Sequence, residues 1–331
     1  MALVTRYVNT ASSTGGDGTT NGTTGATRAY VSISEWNSAE ATNLVSDGDS
    51  HLCYFSGSTV DSSQQTDTNN WTTGASNTLT LEGHPSSGSG ANPTGIWSTS
   101  YYRNVSTGGS YTIKLSDSHI TLRNLQFEHT STKLLDANTS GTDCVLDSCI
   151  FQCGSTNSDI IKGRARMLII NSILDGQGDS QTCLSSEGAD IEVYNTVLTA
   201  ADEGVDCNAH TTLIVKNCAV FNNTDDFVAV HASTTIDYCA SDDGDGTNSV
   251  DISPGGTEAD GWAAAFTSYT TYDYSPKDAS SVLVSAGLGS ATDPNVPTED
   301  LIGTTRSTSA PSIGAIEFVG TVTFIPTLTI Y

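Results

Sequence analysis

The chain has 331 residues, with 12 Lys and Arg against 37 Asp and Glu, a formal charge of −25. That length allows one large domain or two ordinary ones. Nothing in the sequence would neutralise phosphates or bind an anionic membrane surface, which argues against a nucleic-acid partner, and no apolar run is long enough to insert into a bilayer.

In chain order, residues 1–50 read as an N-terminal segment and cap. The opening "MALVTRYVNTASSTGG" shows no basic stretch followed by an apolar one, so no export leader is expected and synthesis is expected in the cytoplasm. "SISEWNSAEATNLV" (Ser32 to Val45) is the best helix, capped by Ser32 or Ser34 and carrying a partial apolar face at Ile33 and Trp36. "HLCYFSG", "NTLTLEG" and "SYTIKLSDSHITLRNL" follow as strands.

Residues 51–250 contain a repeat. "ITLRNLQF" (Ile120), "CVLDSCIF" (Cys144), "MLIINSIL" (Met167), "IEVYNTVL" (Ile191), "LIVKNCAV" (Leu213) and "TTIDYCAS" (Thr234) align at intervals of about 22 residues. The third position is always aliphatic: Leu122, Leu146, Ile169, Val193, Val215 and Ile236. The fifth is Asn124, Ser148, Asn171, Asn195, Asn217 and Tyr238. A second apolar run follows in most units, as at Leu134-Leu135, Ile160-Ile161, Cys183-Leu184, Val205 and Phe227-Val228. This period, with two or three short strands per unit, predicts the coils of a parallel β-helix. Asn suits a sharp bend because it tolerates the left-handed conformation, and stacked Asn side chains can bond one another. The small neighbours Cys149, Ser172, Thr196, Cys218 and Cys239 fit a crowded interior. The eight cysteines show no metal spacing and read mostly as small buried hydrophobes.

Residues 251–319 lose the repeat and read as an irregular C-terminal closing region, with a short helix around Gly261 to Phe266. Residues 320–331 read as a tail strand. There Val322, Phe324, Leu328 and Ile330 alternate with polar residues, a pattern suited to adding a strand to a partner chain, either a second copy or another protein of a particle.

These columns resemble the right-handed parallel β-helix, or pectate-lyase-like, superfamily. "DLIGTTR" and "PSIGAIEF" are similar to the closing motif of choice-of-anchor Q domain proteins. "TRYVNTASSTGGDGTTNGTTGATRAYVSISEW" with "GIWSTSYYR" resembles the openings of β-helix proteins of tailed bacteriophages. The resemblance implies an all-β right-handed solenoid and a structural virion protein, a capsid decoration or a tail fibre or spike component. Such a protein would be exposed on the particle, pack against other virion proteins as a homo-oligomer and contact host surface polysaccharide. The alternative is a polysaccharide depolymerase, a glycoside hydrolase or lyase. The lyase and polygalacturonase motif residues are absent, so no catalytic role carries over from them.

The chemistry-bearing candidates are acidic. Asp179, Glu203 and Asp225 occupy the thirteenth position of three successive coils and would stack about 5 Å apart. A carboxylate pair at that spacing suits a retaining glycosidase. Asp202, Asp206 and Asp226 lie beside them, and a trio of carboxylates could hold Ca²⁺; no other cofactor is expected. The bland reading is a solvated acidic face. Lys162, Arg164 and Arg166 form the cationic cluster, expected in salt bridges with Asp159. Trp97, Tyr101 and Tyr102 either stack on sugar rings or plug the coil entrance.

Overall fold

The computed structural model describes residues 2–320 other than 93, 131–132, 138–142, 155–158, 189, 210, 243 and 254–255, with the side chains of 179, 180 and 209 also outside the description. The tail candidates Val322, Phe324, Leu328 and Ile330 lie outside the described residues.

The aliphatic third position of the repeat becomes one continuous column. Leu122, Leu146, Ile169, Val193, Val215 and Ile236 pair in register between successive parallel strands. These strands belong to a nine-stranded sheet that runs Leu3–Asn9, Ser50–Ser56, Leu79–Gly83, Ile120–Arg123, Asp143–Asp147, Arg166–Ile170, Asp190–Tyr194, Thr212–Lys216 and Thr234–Asp237. Every pairing in it is parallel. Leu3–Asn9, which the repeat did not reveal, supplies the first strand. A second sheet of 13 strands folds around the same core in two arms. The near arm includes Gln126–His129, Ile150–Cys153 and Ala219–Phe221, and the far arm includes Tyr111–Leu115, Asp159–Gly163 and Asp225–Val228. Two long strands, Ile173–Glu187 and Val197–Ala209, run through both arms. The result is an all-β parallel solenoid. Its interior is the apolar column plus Leu135, Ile161, Leu184, Val205 and Phe227, matched coil on coil.

The bend between the first sheet and the near arm follows from its residues. Asn124, Ser148, Asn171, Asn195, Asn217 and Tyr238 all adopt φ between 49 and 57°. In this left-handed region Asn is favoured and bulky residues are disfavoured. The bend also reverses the direction of hydrogen bonding. Asn171 and Asn195 donate their N–H forward to the next coil (Tyr194 O, 3.2 Å; Lys216 O, 3.1 Å), whereas Ile173 and Val197, two residues later, donate back to the previous one (Cys149 O and Ser172 O, both 2.9 Å). The residue between them is buried throughout, Leu125 in the first of these coils and small in the rest. Cys149, Ser172, Thr196, Cys218 and Cys239 each donate a thiol or hydroxyl to the carbonyl two residues before, at 3.4, 2.8, 3.0, 3.2 and 3.6 Å. All eight cysteines are free and buried. Burial pushes the Cys149, Cys144 and Cys207 thiols up to about 12, far from nucleophilic.

At the N-terminal end the predicted helix forms as two pieces, α1 (Ile33–Glu40) and α2 (Leu44–Asp47). The Ser32 hydroxyl accepts from Glu35 N at 3.1 Å and caps α1. Trp36 stacks on Trp71 and meets Phe55 edge-on, plugging the first coils. The Glu40 carboxylate bonds Arg6, the Tyr30 hydroxyl and His51, and these bonds outweigh its burial and hold it at about 2.

The chain passes through α3 (Glu258–Ala265), then runs back along the flank and covers the outer face of the near arm. Phe266 stacks on Phe221 at 4.5 Å, and Ile313, Ala315 and Ile316 join Ile150, Ile173 and Val197 in a second core. The flank is available because the near arm is apolar on both faces.

Candidate functional site

The register of the far arm decides the fate of the carboxylate column. Glu203 pairs with Asp225, as the repeat predicts, about 5 Å apart between neighbouring strands. Asp179 does not join them. Glu203 faces Thr182 instead, whose hydroxyl donates to its carboxylate at 2.9 Å, and Thr182 in turn faces Asp159. The cause is a register shift: Asp175 pairs with Thr199 and Ser180 with Ala201, so residues 176–179 bulge opposite the single residue Ala200. The expected thirteenth-position trio is therefore a pair, standing on the open outer face of a sheet.

The proposed metal trio is dispersed by strand alternation. Asp202 is exposed, Asp206 lies on the outer face, and Asp226 is buried on the inner side, where it accepts from Asn223 Nδ2 at 2.9 Å and Asp242 N at 2.8 Å. Among the described residues no three His, Cys, Asp or Glu side chains converge to hold a metal ion.

The cationic cluster is absorbed by ion pairs, with Glu187, Asp136 and Asp143 as close partners, while Asp159 also feels the charge of Lys162. Lys162 and Arg164 share Glu187, Arg164 also reaches Asp136 at 3.5 Å, and Arg166 pairs with Asp143 at 2.6 Å. Burial works against ionisation of Glu187, yet Lys162 and Arg164 hold it below the usual carboxylate range. Along the same face Asp67, Lys114, Asp136 and Lys162 succeed one another in register, an alternating ladder that partly neutralises itself. Of the aromatics, Tyr102 is buried, donating to Asp61 at 2.8 Å, and Trp97 packs against the second core.

What the sequence reading missed is a groove on the other side. The closing segment lies directly on the Asn bend for part of its length. Asn217 Nδ2 donates to Leu288 O (2.8 Å) and to Asn195 Oδ1 (3.3 Å), and Asn217 Oδ1 accepts from Leu288 N (2.7 Å). Asn195 Nδ2 donates to Ser312 O (3.3 Å). Arg306, buried, donates to Asn171 Oδ1 (3.1 Å), to the Gly314 and Ala315 carbonyls (3.0 and 2.9 Å) and to Glu317 (3.4 Å). Burial lowers this guanidinium to about 10 despite Glu317 and Asp300. Towards the N-terminal coils the segment lifts away. There Asn124 and Ser148, at the same bend, line a cleft of about 630 Å³ walled by residues 297–303. Its floor carries the Arg123–Asp147 ion pair, 2.9 Å apart, and Glu299 stands in the wall. Lining residues come from four successive coils, which gives a length of about 14 Å along the solenoid. One signal for it existed in the sequence, the charged residues immediately before Asn124 and Ser148. Nothing in the repeat indicated that residues 297–303 return to wall it.

No helix among the described residues is long and apolar enough to cross a membrane. No protein-family model matches the chain, and no curated protein matches it. Among solved structures, the chain is similar to the crystal structure of pectate lyase Pel9A at 12% sequence identity and a TM-score of 0.43, over 96% of this chain and 97% of that one.

Proposed function

We propose that the protein is a non-enzymatic structural component displayed on the surface of a tailed-phage particle, as a capsid decoration or a tail fibre or spike component, where its flank contacts host surface polysaccharide. The observation that carries the contact role is the groove at the Asn bend. It is open, elongated along the coil axis and lined by both polar and apolar side chains, an arrangement that admits a stretch of an extended, hydroxylated polymer rather than a compact metabolite. The particle assignment rests on the resemblance of the opening stretches to β-helix proteins of tailed bacteriophages.

The non-enzymatic part is supported by the far arm. A depolymerase needs an acid and a base or nucleophile converging on a bond in a cleft. Glu203 and Asp225 stand side by side on an open sheet face, outside the groove lining, and Thr182 holds Glu203. The acidic, Ser-, Thr- and Asn-rich surface suits a protein displayed at high local density, because like charge limits non-specific association.

Quantitative mass spectrometry of purified particles, scaled to the major capsid protein, tests the assignment. Hundreds of copies identify a decoration protein, and a few to a few dozen identify a fibre or spike. Absence from the particle overturns the virion reading.

A further inference from the structure

A second concavity, of about 320 Å³, lies on the opposite side of the near arm, where the closing region folds over the second bend of the solenoid. It is built from two layers. Below are Asp175 and Thr199, paired across adjacent strands, with Gln177, Ala200 and Asn222 at the bend. Above is a short 3₁₀ turn, Tyr269–Thr271, followed by Tyr272 and Tyr274.

The two layers are fixed to each other. Tyr274 is buried and donates its hydroxyl to Asp175 Oδ2 at 2.8 Å, while Asp175 Oδ1 accepts from Gln177 N at 2.8 Å. Burial of Asp175 raises it above the usual carboxylate range, and both hydrogen bonds act in the other direction. This buried pair anchors the tyrosine turn to the coils. Tyr272 is different. It is 40% exposed, and its backbone sits at φ 65°, a conformation that a bulky residue adopts rarely and at a cost. A solvent-exposed aromatic ring is thus held in a disfavoured conformation beside this concavity, although burial gains little from placing it there.

We propose that this concavity is a binding subsite for a neutral sugar ring, with Tyr272 and Tyr269 as the stacking platform and the amides of Gln177 and Asn222 as hydroxyl-recognising groups. The proposal rests on the glycan-contact reading above and adds a site and a substrate class to it. Aromatic faces pack on the apolar C–H face of a pyranose, and side-chain amides both donate and accept, as a ring of hydroxyls requires. No Lys or Arg lines the site, and Asp175 lies at its base, so a uronate or sulfated sugar finds no counter-charge there.

Tyr272→Asn separates binding from folding. Asn tolerates the left-handed conformation better than Tyr, so the variant should keep or slightly raise the melting temperature while removing the ring. Wild type, Tyr272→Asn and Tyr269→Ala are titrated with neutral glucose-, galactose- and mannose-based oligosaccharides and with oligogalacturonate, on full-length protein, following tyrosine and tryptophan fluorescence. The expected result is binding of at least one neutral series by wild type, at least ten-fold weaker in Tyr272→Asn, with oligogalacturonate bound no better. Unchanged neutral-sugar binding in both variants overturns this subsite and leaves the glycan reading standing, as does a preference for oligogalacturonate. Binding of no oligosaccharide by wild type overturns both.

Discussion

The two bends that flank the near arm are built on opposite principles. The first, between the nine-stranded sheet and the near arm, uses a single left-handed residue in every coil from Asn124 to Tyr238. No residue is inserted, and from Ser148 onward a small hydrogen-bonding residue follows within the core. The second, between the two arms, varies from coil to coil. Strand pairing resumes after one residue at Ala200 but after four at residues 176–179, and its left-handed positions are Gln177, Ala200 and Asn222. A bend that stacks on itself and carries a clamp constrains both its length and its residue types. A bend whose side chains face solvent or a covering segment constrains neither, and there the chain is free to build concave surfaces.

The clamp on the first bend is the most consequential place to break this contrast. Arg306→Ala removes the buried cation that ties Asn171, two carbonyls and Glu317 together, so that each of these buried groups loses a donor and the Glu317 carboxylate loses its counter-charge. A loss of about 3–5 kcal/mol is expected, the range for breaking one partner of a buried pair. Urea denaturation of wild type and variant gives the value, and a loss below about 1 kcal/mol would show that the closing segment is not held by this residue.

A smaller effect is expected one layer in. Asn217→Ala loses the ladder bond to Asn195 and both bonds to Leu288, and places a poorer residue at φ 54°. The expected cost is about 2–4 kcal/mol. Asn217→Gly should recover roughly 1 kcal/mol of it, because Gly restores the backbone conformation but not the hydrogen bonds.

The second bend should respond with the opposite sign. Ala200 sits at φ 59°. Ala200→Gly relieves about 1–2 kcal/mol of left-handed strain and gives back about 0.4–1 kcal/mol through the freer unfolded chain, so a net gain of roughly 0.5–1 kcal/mol is expected in the same assay. A loss of stability there would erase the distinction between the two bends.

The contrast also explains what the sequence could reveal. Leu122 to Ile236 and Asn124 to Tyr238 were legible as columns because the first sheet and its bend keep constant length, so counting residues is the same as counting positions in space. The Glu203–Asp225 neighbourhood was legible for the same reason, because the second bend has the same length in those two coils, from Thr199 to Glu203 and from Phe221 to Asp225. Asp179 was misplaced because the four-residue bulge breaks that equivalence, and no local residue type announces a bulge facing outward. The groove and the tyrosine concavity were invisible for a different reason. Each needs the closing region to return to coils more than about 90 residues earlier, as Tyr274 does to Asp175 and Arg306 to Asn171. The closing region has no repeat to fix its register, and its contacts are set by apolar packing over the near arm.

Whether this solenoid binds without cutting is decided by incubating the protein with neutral and uronate-containing polysaccharides and counting new reducing and unsaturated chain ends. None above background is expected from wild type, and none from a Glu203→Gln, Asp225→Asn variant. Chain ends that accumulate with wild type and vanish with that variant would contradict this expectation, and would make the exposed carboxylate pair on the far arm an active site.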